Sequence, residues 1–188
     1  MEPVPDASEH DLIRRHLDGD TIAFERLYHR WRAPLYGYLN RLLPDQGATV
    51  DDLFQQTWLR VVDALPRYHE QQRFAAWLFG IAHNLLLDHH RHQAVSPLAP
   101  PGEVPLDDLP VTAGPEPWMA WSARELGDAL AAALEQLPPD LREVFLLRRQ
   151  GVSFKDIADL QKTGLNTVLG RMHYAVRRLR CWLEEWRP

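Results

Sequence analysis

Histidine is the first residue type in this 188-residue chain that could do chemistry: there are nine, and four of them, His83, His89, His90 and His92, fall within ten positions. On a helix, His83 and His90 share a face but stand about 10 Å apart along the axis at 1.5 Å per residue, too far for one metal ion. His89 with His92, or Asp88 with His92, could meet an ion, yet no glutamate or cysteine cluster completes a coordination shell, and the chain has a single cysteine, Cys181. The expectation is therefore no metal and no cofactor, with these imidazoles making titratable contacts on a polar, phosphate-facing surface. No serine, cysteine or lysine nucleophile lies in a recognisable local motif, and no glycine-rich loop could cradle a nucleotide. Binding is expected, and catalysis is not.

Three other clusters suit binding. From Lys162 to Arg180 there are five basic residues and no acid. Within that stretch Thr167, Arg171, Tyr174 and Arg178 recur at four, three and four and so share one helical stripe, flanked by Asn166, His173 and Arg177. Amide and cationic side chains near the start of a helix fit base edges and phosphates in a major groove. Earlier, Asp52, Gln55, Gln56, Leu59, Val62 and Asp63 form an outward helix face on which two aliphatic residues stand among acids and amides, a mixture suited to a protein partner. Between two helices the segment LPRYHEQQRFAAW carries Arg67, Tyr68, His69, Gln71 and Arg73, whose rings and guanidinium groups could stack on and hold an unpaired base. Phe74, in the same segment, is expected to plug the core.

The elements that must position these residues are helices. Phe24, Leu27, Tyr28, Trp31, Leu35, Tyr38, Leu39 and Leu42 recur at three and four between the breaks Asp18-Gly19-Asp20 and Pro44-Asp45, with Pro34 a point of kinking. A second helix is predicted from about Val50 to Leu65, burying Val50, Phe54, Thr57, Trp58, Val61 and Leu65. A third is predicted from about Gln72 to His92, with Phe74, Trp77, Leu78, Ile81 and Leu85 inward. Later come Leu126, Leu130, Ala133, Leu134 and Leu137 before Pro138-Pro139, then Leu141, Val144, Phe145 and Leu147 before Gly151. Ser153 with Asp156 opens a short helix carrying Ile157, Ala158 and Leu160. After a break at Gln161 to Gly164, a longer helix turns Leu165, Val168, Met172, Ala175 or Val176, Leu179 and Leu183 inward. A short helix, a tight turn and a longer helix make a helix-turn-helix candidate.

Charge divides the chain. Residues 1–93 hold 10 basic and 13 acidic side chains, residues 94–123 hold four acids and no base, and residues 124–188 hold 11 and 9, so only the last part leans basic. Seven prolines lie between Pro97 and Pro117, a density that blocks helix and central strand alike. The expected fold class is all-α: a helical bundle over 8–93 and a helix-turn-helix body over 124–187, joined by a proline-rich acidic linker over 94–123. No stretch reaches the roughly 20 apolar residues that cross a bilayer, so membrane insertion is not expected, and the single cysteine, which excludes an internal disulfide, fits a reducing cytoplasm.

The segments DDLFQQTWLRVVDAL with FAAWLFGIAHNLLLDHHR, and LPPDLREVFLLRRQGVSFKDIADLQKTGLNTVLGRMHYAVRRLR, resemble regions 2 and 4 of bacterial RNA polymerase sigma factors of the extracytoplasmic-function type, within the sigma-70 family. The resemblance implies a transcription initiation factor that carries core polymerase to promoters. It implies that Asp52, Gln55, Gln56, Leu59 and Val62 dock on the clamp helices of the polymerase's largest subunit. Arg67, Tyr68, His69, Gln71, Arg73, His83 and Asn84 would then hold the melted minus 10 element. Lys162, Asn166, Thr167, Gly170, Arg171, Tyr174 and Arg178 would read the minus 35 element as duplex, with the flap of the second-largest subunit nearby. An anti-sigma factor is a further implied partner, and the acidic linker would pass through basic channels of the enzyme. Gly80 and His83 stand where the family commonly has basic residues, Lys162 replaces its turn glycine, and Leu169 and Gly170 replace a common lysine and serine. A different reading of the same residues is a stand-alone helix-turn-helix regulator with an N-terminal sensor or dimerisation bundle, which would bind a symmetric operator tightly without polymerase. A helical metalloprotein built on the histidines near His89 is a third.

Overall fold

The structure, a computed structural model, describes residues 7–69, 73–93 and 123–183. The expected acidic linker, Gln71 and the side chain of Leu126 lie outside the described residues. Among the described residues every regular element is helical: α1 (Glu9–Leu17), α2 (Thr21–Leu42), α3 (Gly47–Ala64), α4 (Phe74–Gln93), α5 (Ala123–Glu135), α6 (Pro139–Arg149), α7 (Phe154–Leu160) and α8 (Leu165–Trp182), with one 3-10 turn at Leu65–Arg67. The all-α expectation holds.

The first helix adds an element that the hydrophobic pattern does not announce. Ser8 caps it, its Oγ accepting the Asp11 amide at 3.2 Å, and Leu12 and Ile13 are buried. Arg30 of α2 ties it down by donating to the Ala7 carbonyl at 3.0 Å and to Glu9 at 3.3 Å. Asp20 then caps α2 through the amides of Ile22 and Ala23 and also takes Arg15 at 2.7 Å. Helix α2 runs through Pro34 as one element and buries Leu27, Leu35, Tyr38 and Leu39. From α3 come Val50, Leu53, Thr57, Trp58 and Val61. The Thr57 hydroxyl donates to the Leu53 carbonyl at 2.7 Å, which lets a polar residue sit in the core.

Helix α4 departs from the expected single stripe. Phe74, Leu78 and Leu85 are buried as expected, but so are Phe79, Ala82 and Leu86, while Trp77 and Ile81 are only half-buried. The reason is that α4 packs on two sides, against α3 and against α7. A helix covered on two sides has no single wet face to reveal its phase.

In the second half, α5 to α8 bury Ala133, Leu134, Leu137, Val144, Leu146, Leu147, Val152, Ile157, Ala158, Val168, Ala175 and Leu179. Ser153 caps α7, accepting the Asp156 amide at 3.1 Å and donating to the Asp156 carboxylate at 2.6 Å, as the sequence predicts. Arg142 is buried and bonds carbonyls at the end of α5, Glu135 and Leu137 at 3.0 Å, together with the Arg41 carbonyl of α2 at 2.8 Å. One arginine thus closes the exposed end of a helix and ties the second half of the chain to the first.

Candidate nucleic-acid interface

The turn before α8 is made by three residues of defined conformation. Lys162 adopts φ +51°, its amide reaches the Asp159 carbonyl at 3.3 Å, and the Thr163 amide reaches Ala158 at 3.0 Å. These two bonds form the same helix-ending motif that closes α1 at Gly19 (φ +102°) and α6 at Gly151 (φ +83°). Lysine here occupies a backbone position that glycine fills at the other two ends. Gly164 then starts α8 without a side-chain cap.

Around α8, Val168, Ala175 and Leu179 are buried, and the opposite, outward face is Asn166, Gly170, His173 and Arg177. Leu165, expected to point inward, is 47% exposed, because the first turn of α8 projects past the core that Val168 begins. The stripe of Thr167, Arg171, Tyr174 and Arg178 lies on one flank of the outward face: Thr167 is exposed and the other three are half-buried. Arg171 donates to Gln161 at 2.8 Å and to Asp140 at 2.7 Å, and the Arg178 guanidinium lies 6.0 Å from the centre of the Trp182 ring. Lys162 is exposed in the turn. Leu165 and Leu169, both exposed, occupy the other flank.

Gln161 leads from Arg171 to a buried carboxylate that sequence reasoning missed. Glu143 of α6 accepts Gln161 Nε2 at 2.7 Å on one oxygen and, on the other, the Tyr38 hydroxyl of α2 at 2.6 Å and His83 Nδ1 of α4 at 2.7 Å. Burial works to raise the Glu143 carboxyl, but the hydrogen bonds and charge of His83, with the bonds from Tyr38 and Gln161, outweigh it and hold the group below its ordinary value. The Tyr38 phenol is pushed well above its ordinary value by burial, with the Glu143 charge adding to it. His83 is therefore corrected: expected on a surface facing minus 10 DNA, it is 5% exposed and spent on Glu143. The one sequence signal for this cluster is Tyr38 itself, because a tyrosine on an inward stripe needs a partner for its hydroxyl.

The segment after α3 is partly used by the fold. Tyr68 is half-buried, its hydroxyl 3.2 Å from His10 Nε2 and its ring in contact with Phe74 and Trp77. Phe74 is core, as expected. Arg67, His69, Arg73 and, on α4, Asn84 are exposed.

On α3, Leu59 is 66% and Val62 45% exposed, beside exposed Asp52 and Gln55; half-buried Gln56 donates to Asp52 at 3.2 Å. Asp52, Gln55 and Gln56 border an open cleft of about 780 Å³ between α3 and α4 whose far wall is Asp88, His89 and His92. His92 Nδ1 lies 2.6 Å from the Asp88 carbonyl and His89 Nε2 2.9 Å from Gln93, so local hydrogen bonds occupy these rings.

Two bodies of comparison define the class. The family model for Sigma-70 region 2 matches residues 27–95, and that for Sigma-70 region 4 matches residues 127–179. The RNA polymerase sigma factor CarQ of Myxococcus xanthus is 34% identical over 175 residues, covering 92% of this chain and 96% of its own length. The ECF RNA polymerase sigma factor BldN of Streptomyces coelicolor is 31% identical over 171 residues, covering 90% of this chain and 63% of its own. The chain belongs to the sigma-70 family, as a sigma factor of the extracytoplasmic-function type acting in transcription initiation. The fold agrees with two solved structures. One is the sigma factor RpoE with the anti-sigma factor NepR from Bartonella quintana, at TM-score 0.62 and 20% identity over 86% of this chain and 96% of that one. The other is CnrH with the cytosolic domain of CnrY, at 0.61 and 24% identity over 95% and 98%.

Proposed function

We propose that this chain carries core RNA polymerase to promoters through three separate surfaces. The α3 face of Asp52, Gln55, Gln56, Leu59 and Val62 docks on the clamp helices of the largest polymerase subunit. Arg67, Tyr68, His69, Gln71 and Arg73 with Asn84 hold unpaired bases of the minus 10 element. The turn and outer faces of α8, with Lys162, Asn166, Thr167, Gly170, Arg171, Tyr174 and Arg178, read the minus 35 duplex near the flap of the second-largest subunit. The working units are 8–93 and 124–187, with the acidic segment 94–123 between them. The chain works in the cytoplasm and is held in check by an anti-sigma factor.

The observation that carries this reading is the contrast between those surfaces: exposed aliphatics among acids and amides on α3, and on α8 a cationic helix without a single acid. A purely DNA-binding regulator has no use for the first. The net charge of −5 also disfavours tight duplex binding by the chain alone.

Runoff transcription with purified core enzyme tests the reading. A promoter-specific start that depends on the chain is expected. Tight binding of the isolated chain to a symmetric duplex, with no association with core enzyme, would overturn it in favour of a stand-alone regulator.

A further inference from the structure

The flank of α8 formed by Leu165 and Leu169 is apolar, solvent-facing and unexplained by the fold. The two leucines stand four residues apart, on one side of the helix, and are 47% and 42% exposed, while Val168 between them is fully buried and anchors the same turn. Beside Leu169 is Gly170. Among the described residues no atom lies within 4 Å of where a Cβ would stand there, so none of them requires a glycine, and glycine is a weak helix former. A bare backbone at that point serves close approach from outside.

What approaches is defined by charge: the stretch from Lys162 to Arg180 has five basic residues and no acid, which favours a polyanion. Among the groups that a DNA duplex presents in its major groove, the apolar one is the 5-methyl of thymine; guanine and cytosine offer polar edges, which an aliphatic side chain would bury unpaired. We infer that Leu165 and Leu169 are specificity-determining residues that pack on thymine methyl groups of the minus 35 element, with Gly170 letting the helix sit deep enough for them to reach. The inference rests on the proposed reading of that element by α8 and deepens it: the element has A·T or T·A pairs facing these two side chains.

The test uses the full chain in holoenzyme with core polymerase and the promoter duplexes that this holoenzyme recovers from a random pool. Each thymine of the minus 35 segment is replaced singly by deoxyuridine, which removes one methyl and leaves base pairing intact. At one or two positions binding should weaken about 3- to 5-fold, the effect of exposing one methyl group. With Leu165→Ala or Leu169→Ala the thymine duplex should bind more weakly by a similar factor and the uracil penalty at the matching position should vanish. Both positions are exposed and alanine favours helix, so these variants keep the fold. Equal binding of thymine and uracil duplexes at every position, a penalty that persists in both variants, or a minus 35 segment with no A·T pair overturns the inference while leaving the α8 reading intact. Recovery of duplexes without any common minus 35 segment overturns the α8 reading itself.

Discussion

His83 Nδ1 and Glu143 Oε1 lie 2.7 Å apart although 60 positions separate them in the chain, and with Tyr38 on the same oxygen they join α2 and α4 to α6. This contact holds α2 and α4 against α6 in a closed arrangement. The two promoter elements are named for positions about 25 base pairs apart, about 85 Å of duplex at 3.4 Å per step, so a chain reading both has to part these helices. The chain between Gln93 and Ala123 is long enough, at up to about 3.5 Å per residue, to span roughly 100 Å. Glu143→Ala is expected to leave the Tyr38 hydroxyl and His83 without their buried partner, at a cost of roughly 3 kcal/mol, and to shift the chain toward open forms. Small-angle scattering should show a larger radius of gyration for Glu143→Ala. An unchanged radius would mean that apolar packing and the Arg142–Arg41 bond keep the halves together without Glu143.

The same carboxyl sets a pH dependence. Its folded value lies below the ordinary one, 4.5, so the folded state binds its proton less readily than the unfolded chain. The associated stability is present above about pH 4.5 and is lost as pH falls through the folded value. Urea midpoints measured from pH 6 down to pH 3 should fall more steeply for the native chain than for Glu143→Gln, which cannot titrate. Parallel profiles would remove Glu143 as a source of the acid sensitivity.

Lys162 offers a stabilising change. Its φ of +51° costs an L-residue roughly 1 kcal/mol that glycine avoids. Lys162→Gly is expected to stabilise the chain by about that amount less the extra entropy glycine loses, a net gain of at most about 0.5 kcal/mol. Thermal unfolding reads it directly. A fall in Tm would show that the lysine side chain contributes more than its backbone costs.

Periodicity makes α2, α3 and α8 legible, because each has one wet face, and Ser153 with Asp156 marks the start of α7 through local cap chemistry alone. The sequence is silent where a contact joins distant segments. Nothing local marks Glu143 as buried, since its partners come from α2, α4 and the end of α7. His83 misleads for the same reason: on α4 alone it belongs to a polar surface, and only the arrival of α6 buries it. Helix α1 hides although Ser8, Asp11, Leu12 and Ile13 carry its cap and core signals, because a proline-containing, acidic start has the composition of a tail. Leu165 fits the inward stripe as an apolar residue in phase with Val168 and Met172, and hydropathy cannot tell the first turn of a helix from its covered middle.

The α3 patch gives a clean separation of fold from binding. Leu59 is 66% exposed, so Leu59→Asp is expected to leave the unfolding midpoint unchanged within about 0.5 kcal/mol. If the patch docks on polymerase, burying an unpaired carboxylate in that interface should weaken core binding at least tenfold. Analytical gel filtration with core enzyme measures the second and a urea titration the first. Undiminished association would clear Leu59 from the docking surface.

Arg171 has to be tested for two roles at once, because it donates to both Gln161 and Asp140. If it serves only to brace the turn, Arg171→Ala lowers stability and leaves promoter affinity untouched in the fraction that is folded. If it also meets DNA, holoenzyme affinity for a minus 35 duplex falls by on the order of 1 to 3 kcal/mol. A phosphate contact further reduces the slope of log affinity against log salt by about one, which bracing cannot do. Asp140→Asn sharpens the test: it keeps a hydrogen-bond acceptor for Arg171 but removes a negative charge from beside α8, so affinity should rise, and rise most at low salt. A salt slope equal in the native chain and Arg171→Ala, together with no gain from Asp140→Asn, would assign Arg171 to the fold alone.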